Sequence, residues 1–123
     1  MQLHVDTQEA LVSEAVHCRR GQYSLRVKFN GDAGGAVSLR TLERGLPNGP
    51  SETLADYDEF GDDDDPNAVT NITTNVRRTV KLEDCWVVVD VESHSGTGGI
   101  DVWLSPLDGD AGITELTPAI TPS

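Results

Sequence analysis

The side chains here that could do chemistry are two cysteines, three histidines and a dense run of aspartates. Neither Cys18 nor Cys85 has a second ligand at CxxC or CxH spacing, and two cysteines are too few for a disulfide-built scaffold. Reduced cysteines packed in a core are the expectation. His4, His17 and His94 have no local partner that would mark a general base or a metal ligand, and His94 reads as a solvated turn residue. His17 adjoins Cys18, but neighbours on a strand point to opposite faces, so the two form no local thiolate–imidazole pair. Gly96, Gly98 and Gly99 lie far from any helix start and read as hairpin glycines rather than a phosphate loop. Asn71-Ile72-Thr73 matches a glycosylation acceptor. The opening Met1-Gln2-Leu3-His4-Val5-Asp6 carries neither the basic nor the apolar region of a secretory signal, so a chance match is expected.

The aspartates are the densest group. Asp56, Asp58, Glu59, Asp62, Asp63, Asp64 and Asp65 place seven acids in ten residues. Calcium takes several carboxylate and carbonyl oxygens from a flexible loop, which Asp62 to Asp65 could supply. The alternating D-x-D-x-D-G spacing and the distal glutamate are missing, and contiguous aspartates point in different directions. A solvated acidic loop is therefore expected, with no catalytic residue, no cofactor and no metal.

Nine basic against twenty-one acidic side chains give a net charge of −12. Such a chain repels phosphate backbones and anionic headgroups, which argues against direct nucleic-acid binding and against a membrane surface. A salt-adapted source would produce a similar surface. At 123 residues one core can form, and the longest apolar stretch, Trp86-Val87-Val88-Val89, is far below the roughly 20 residues of a membrane helix.

The elements that must position these groups show period two. Tyr23, Leu25, Val27 and Phe29 alternate with Gln22, Ser24, Arg26 and Lys28, then Gly31 to Gly35 supply turn residues and Val37, Leu39 and Thr41 resume the alternation. This predicts a strand, a turn and a hairpin partner. Residues 9–18 read as a preceding strand, in competition with a helix over Thr7 to His17, where Glu9, Ala10, Leu11, Glu14 and Ala15 favour helix. Val5 belongs to a short edge strand. Gly45 to Pro50 read as loop, with a short strand near Leu54 to Tyr57 and further strands at about 68–73 and 76–82.

A last hairpin with Ser93 to Gly98 as its connection would set Val91 opposite Ile100, Val89 opposite Val102 and Val87 opposite Leu104, all facing the core. The same register puts Trp86 opposite Ser105, Val88 opposite Trp103 and Asp90 opposite Asp101. An outer face carrying Trp86, Val88 and Trp103 must be covered, either by another part of the chain or by a neighbouring subunit. Those three residues are the candidate interface.

About eight short strands and no adequate helix predict an all-β fold, a single antiparallel β-sandwich of jelly-roll type. The sandwich spans residues 1–107 with an acidic loop at 56–67, and residues 108–123, which include Pro118 and Pro122, form an extended C-terminal tail.

Arg20-Gly21-Gln22-Tyr23-Ser24-Leu25-Arg26-Val27 and Gly34-Gly35-Ala36-Val37-Ser38-Leu39 resemble the opening of small β-sandwich virion proteins of tailed bacteriophages. Val80-Lys81-Leu82, Cys85-Trp86-Val87-Val88-Val89 and the run Gly98 to Leu107 resemble their closing strands. The pattern covers most of residues 9–107 and departs between Leu46 and Asn67, where this chain has its long acidic loop. The resemblance implies a structural protein of the virion, assembled in the host cytoplasm, without enzyme activity. A capsid decoration (cement) protein is the foremost reading, and a tail, neck or fibre accessory is the alternative. The implied partners are other copies of itself, for example in a trimer, and the major capsid protein or another virion protein. A different class of reading is a carbohydrate-binding sandwich, with Trp86 and Trp103 stacking on sugar rings.

Overall fold

The structure, a computed structural model, describes residues 1–43, 49–51, 53–60, 69–107 and 111–119, with the backbone alone over 114–119. Its strands are β1 (Gln2–Thr7), β2 (Leu11–Val12), β3 (Glu14–Cys18), β4 (Gly21–Phe29), β5 (Gly34–Leu42), β6 (Asp58–Glu59), β7 (Val76–Leu82), β8 (Cys85–Ser95), β9 (Ile100–Pro106) and β10 (Ile113–Ala119). They form two antiparallel sheets, one four-stranded in the order β1-β9-β4-β7, the other six-stranded in the order β10-β3-β8-β5-β6 with β2 also on β8. The chain is an all-β antiparallel sandwich.

The alternation of apolar residues builds the space between the sheets. Tyr23, Leu25 and Val27 of β4, Val80 and Leu82 of β7, and Ile100, Val102 and Leu104 of β9 point inward from one sheet. Val16 and Cys18, Val37 and Leu39, and Cys85, Val87, Val89 and Val91 meet them from the other. Strand β8 sits between β3 and β5, and its unbroken Trp86–Val89 run is what a strand buried on both faces requires.

Neither expected hairpin forms. Strand β4 belongs to the four-stranded sheet and β5 to the six-stranded one; β8 and β9 are divided in the same way. Val91 lies opposite Val37 and Leu11, whereas Ile100 lies opposite Phe29 and Thr7. Both connections are arches from one sheet to the other. An arch and a hairpin need the same turn residues and turn the same alternate residues toward the core, so alternation could not separate them. The glycines serve the arches instead. Gly96 has φ +81°, and a Cβ on Gly98 would collide with the Asn30 carbonyl of the neighbouring arch. Asp32 clasps the two arches, accepting from Gly98 N at 2.8 Å, Thr97 N at 2.9 Å and Thr97 Oγ1 at 3.1 Å.

Other segments also depart from expectation. Thr7 to His17 holds β2 and β3 rather than a helix, because both complete the sheet beside β8. Leu54–Asp56 is a 3₁₀ turn, and the short strand follows it as β6. The segment near residues 69–72 is held by β5 through Val37 N to Ile72 O at 2.9 Å and Leu39 N to Val69 O at 2.8 Å, without forming a strand of its own. Within the region read as a tail, Ile113–Ala119 is extended but lies along β3 as an edge strand. Its entry is fixed by Tyr23, whose hydroxyl donates to the Arg19 carbonyl at 2.5 Å and accepts from Gly112 N at 2.9 Å.

Candidate functional site

The sandwich has two outer faces, and the chain treats them differently. On the six-stranded sheet, Trp86 and Val88 project outward from β8 but are fully buried. Val12, Ala15, Tyr57, Leu42 and Leu54 pack around them as a second apolar cluster, with the 3₁₀ turn as its lid. His17 meets Trp86 edge-on at 5.2 Å. Beside this cluster Asp90, 7% exposed, is paired by Arg40 Nε at 3.1 Å, and Nη2 of the same guanidinium reaches Glu92 at 2.8 Å and Glu59 at 3.4 Å. Burial raises the Asp90 carboxyl above its ordinary value, and the Arg40 hydrogen bond and charge oppose that rise.

On the four-stranded sheet nothing described covers the outer face. Register places Gln2, Trp103, Arg26 and Arg77 side by side across all four strands, because Trp103 is opposite Gln2 and Arg26, and Arg26 is opposite Arg77. Flanking rows align Lys28 with Asp101, Ser24 with Ser105 and Thr79, and Gln22 with Lys81. The Arg26 guanidinium lies over the half-buried Trp103 ring, 5.0 Å from its centroid. Arg26, Lys28, Arg77 and Lys81 are exposed and ion-paired with no described residue. Asp101, the acid of this face, is engaged by Gln2 Nε2 at 3.1 Å, Asp6 N at 2.7 Å and Asn30 Nδ2 at 2.7 Å. Between Arg26, Lys28, Asn75 and Arg77 lies a surface depression of about 240 Å³.

Arg26 opposite Arg77 is a repulsion the fold tolerates rather than needs, since like charges directly opposite on a sheet destabilise it. Arg26, Arg77 and Lys28, grouped at the indole ring and ion-paired with no described residue, form a local positive field on a chain of net charge −12, able to hold carboxylates or another anion.

The structure therefore separates the expected trio. Trp86 and Val88 lie under the protein's own cover, and Trp103 lies on the opposite layer, so the three share no face. Asp90 and Asp101 do not meet either: Asp90 is opposite Ser38 and Val12, and Asp101 is opposite Lys28. The basic residues were missed as a group. Their outward parity was visible within each strand, but the placement of β7 and β9 on either side of β4 was not.

The remaining chemistry is enclosed. His4 is buried, with Nδ1 3.0 Å from Thr7 Oγ1 and Nε2 2.8 Å from the Val89 carbonyl, and burial lowers its pKa below the ordinary 6.5. Cys18 and Cys85 are free thiols directly opposite one another on β3 and β8. Burial pushes the Cys85 thiol up to about 12, and Cys18 is raised further, so neither is a nucleophile near neutrality. Among the described residues no three His, Cys, Asp or Glu side chains are grouped to hold a metal, and no helix is long and apolar enough to cross a membrane. Asp62 to Asp65, the candidate cation loop, lies outside the described residues.

No family model, curated protein or solved structure matches this chain. The open sheet face is thus read from its own geometry.

Proposed function

We propose that the protein is a structural component of a tailed-bacteriophage virion, foremost a capsid decoration protein, and that it docks through the open face of the four-stranded sheet. The observation that carries the docking part is the Trp103–Arg26 stack flanked by Lys28 and Arg77, cations that are ion-paired with no described residue. Tryptophan and arginine are the residues most enriched among those that dominate binding energy at interfaces. The virion part is supported by the resemblance of the strand sequences at Arg20–Val27, Gly34–Leu39 and Cys85–Val89. The carbohydrate reading required Trp86 beside Trp103, and with Trp86 buried that platform is reduced to one ring.

The test is co-sedimentation with phage particles. The protein should remain on DNA-filled heads after tails are sheared off, and Trp103→Ala should weaken that binding by about tenfold or more, leaving the unfolding curve almost unchanged. Recovery with the detached tails would move the assignment to a tail accessory. Recovery with neither would overturn the virion reading.

A further inference from the structure

We infer that the open face accepts the acidic segment of a second copy of this chain, so that copies associate head to tail. The inference rests on the reading of this face as a docking surface and names its occupant. The acceptor is the group Arg26, Lys28 and Arg77, which with Asn75 lines the surface depression of this face. The donor is the run from Asp56 to Asp65, in which seven of ten residues are acidic. Asp56, Asp58 and Glu59 are exposed, and the last two form β6, the edge strand of the six-stranded sheet. The far side of the run returns to the same edge, where Val69 N donates to the Phe60 carbonyl at 2.9 Å.

Donor and acceptor thus belong to different layers of the sandwich. When one copy's acidic edge meets another's basic face, the first copy's face and the second copy's edge are still unfilled. Contacts of this kind are heterologous, closing into a ring where the rotation permits and otherwise extending as a filament.

The net charge of −12 works against association only at long range. At physiological ionic strength the Debye length is about 8 Å, smaller than the domain, so the charges at the contact outweigh the monopole. At very low salt the monopoles repel, and at high salt the contact itself is screened. Association is therefore strongest at intermediate salt, a signature that hydrophobic dimerisation lacks.

The test uses two complementary variants of the full chain, followed by light scattering and sedimentation across salt. R26E/R77E reverses the face and keeps the donor; D62N/D63N/D64N/D65N neutralises the donor and keeps the face. Each alone should lose about tenfold or more in association, and mixing the two should give a complex that stops at one copy of each. Mutual rescue on mixing also shows that both variants are folded. A wild-type chain that is monomeric at every salt concentration would overturn the inference, as would association that survives R26E/R77E. So would a single-stranded oligonucleotide bound by a wild-type chain that stays monomeric, since the face would then serve phosphate. Particle binding lost in R26E/R77E without self-association would leave the proposed function standing and remove this occupant. Head-to-tail complexes without particle binding would do the reverse.

Discussion

Trp86 and Trp103 sit on the outer faces of the two sheets, and their surroundings differ in kind. Around Trp86 the chain supplies its own cover, and Arg40 offsets Asp90, Glu59 and Glu92. Around Trp103 it supplies a cation to stack on the ring and leaves two more, Lys28 and Arg77, ion-paired with no described residue. The first arrangement is that of an interior. The second resembles half of an interface, where an aromatic ring and arginine wait for groups from elsewhere. If the open face docks a partner as proposed, mutations on one face report folding and mutations on the other report binding.

The largest contrast lies in the tryptophans. Trp86→Ala should cost about 3–5 kcal/mol in unfolding free energy, through lost burial and the cavity left among Val12, Ala15 and Val88. Trp103→Ala should cost less than about 1 kcal/mol in the same denaturant titration. Equal losses would erase the distinction between the faces.

Next come the charges. Arg40→Met should destabilise the fold by about 3 kcal/mol, because Asp90 is then buried without its counter-ion, and adding Asp90→Asn should restore part of the loss. Arg26→Ala should change stability by about 0.5 kcal/mol or less. A double-mutant cycle at Arg40 and Asp90 with no coupling would show the covered face to be held by packing alone.

A smaller effect follows from His4. Its folded pKa lies below the ordinary 6.5, so its contribution to stability is present above that value and is lost as pH falls through the folded pKa. The slope from this one proton cannot exceed about 1.4 kcal/mol per pH unit, and His4→Gln should remove it. Asp90 acts with the opposite sign, since its raised pKa favours the fold increasingly as pH falls through the folded value toward 3.8. The two are separable because the His4 part begins near neutrality. Melting temperatures of the wild type and His4→Gln that run parallel with pH would exclude the histidine as the source.

The smallest effect belongs to the open face. Arg77→Glu opposite Arg26 replaces a repulsion with an attraction and should raise stability by a few tenths of a kcal/mol, while impairing association. A loss of stability would mean that the cation cluster serves the fold.

What the sequence could reveal tracks what period-two alternation encodes. It identified Tyr23, Leu25 and Val27, Val87, Val89 and Val91, and Ile100, Val102 and Leu104 as core-facing, and all nine are buried. It did not encode which strands are neighbours, so the two hairpins and the Trp86–Trp103 patch built on them were misplaced. A signal was present in Trp86-Val87-Val88-Val89: an unbroken apolar run fits a central strand covered on both sides better than one arm of a half-exposed hairpin. Of the candidate site, Trp103 was legible as an outward aromatic. Its basic neighbours became one patch only once β1, β9, β4 and β7 lay side by side.

The arches carry a further consequence, for the order of events as the chain is made. Apart from β5 with β6, every strand pairs with one distant in sequence: β1 with β9, β4 with β7 and β9, β2 and β5 with β8, β3 with β8 and β10. Met1 itself exchanges backbone hydrogen bonds of 2.8 Å with Leu104 in both directions. Among the described strands no tight hairpin is available as an early nucleus, and pairings that close long loops form slowly. The first strands therefore form without partners: β4 waits for β7, which ends at Leu82, and β1 and β3 wait for β9 and β8, which lie beyond it.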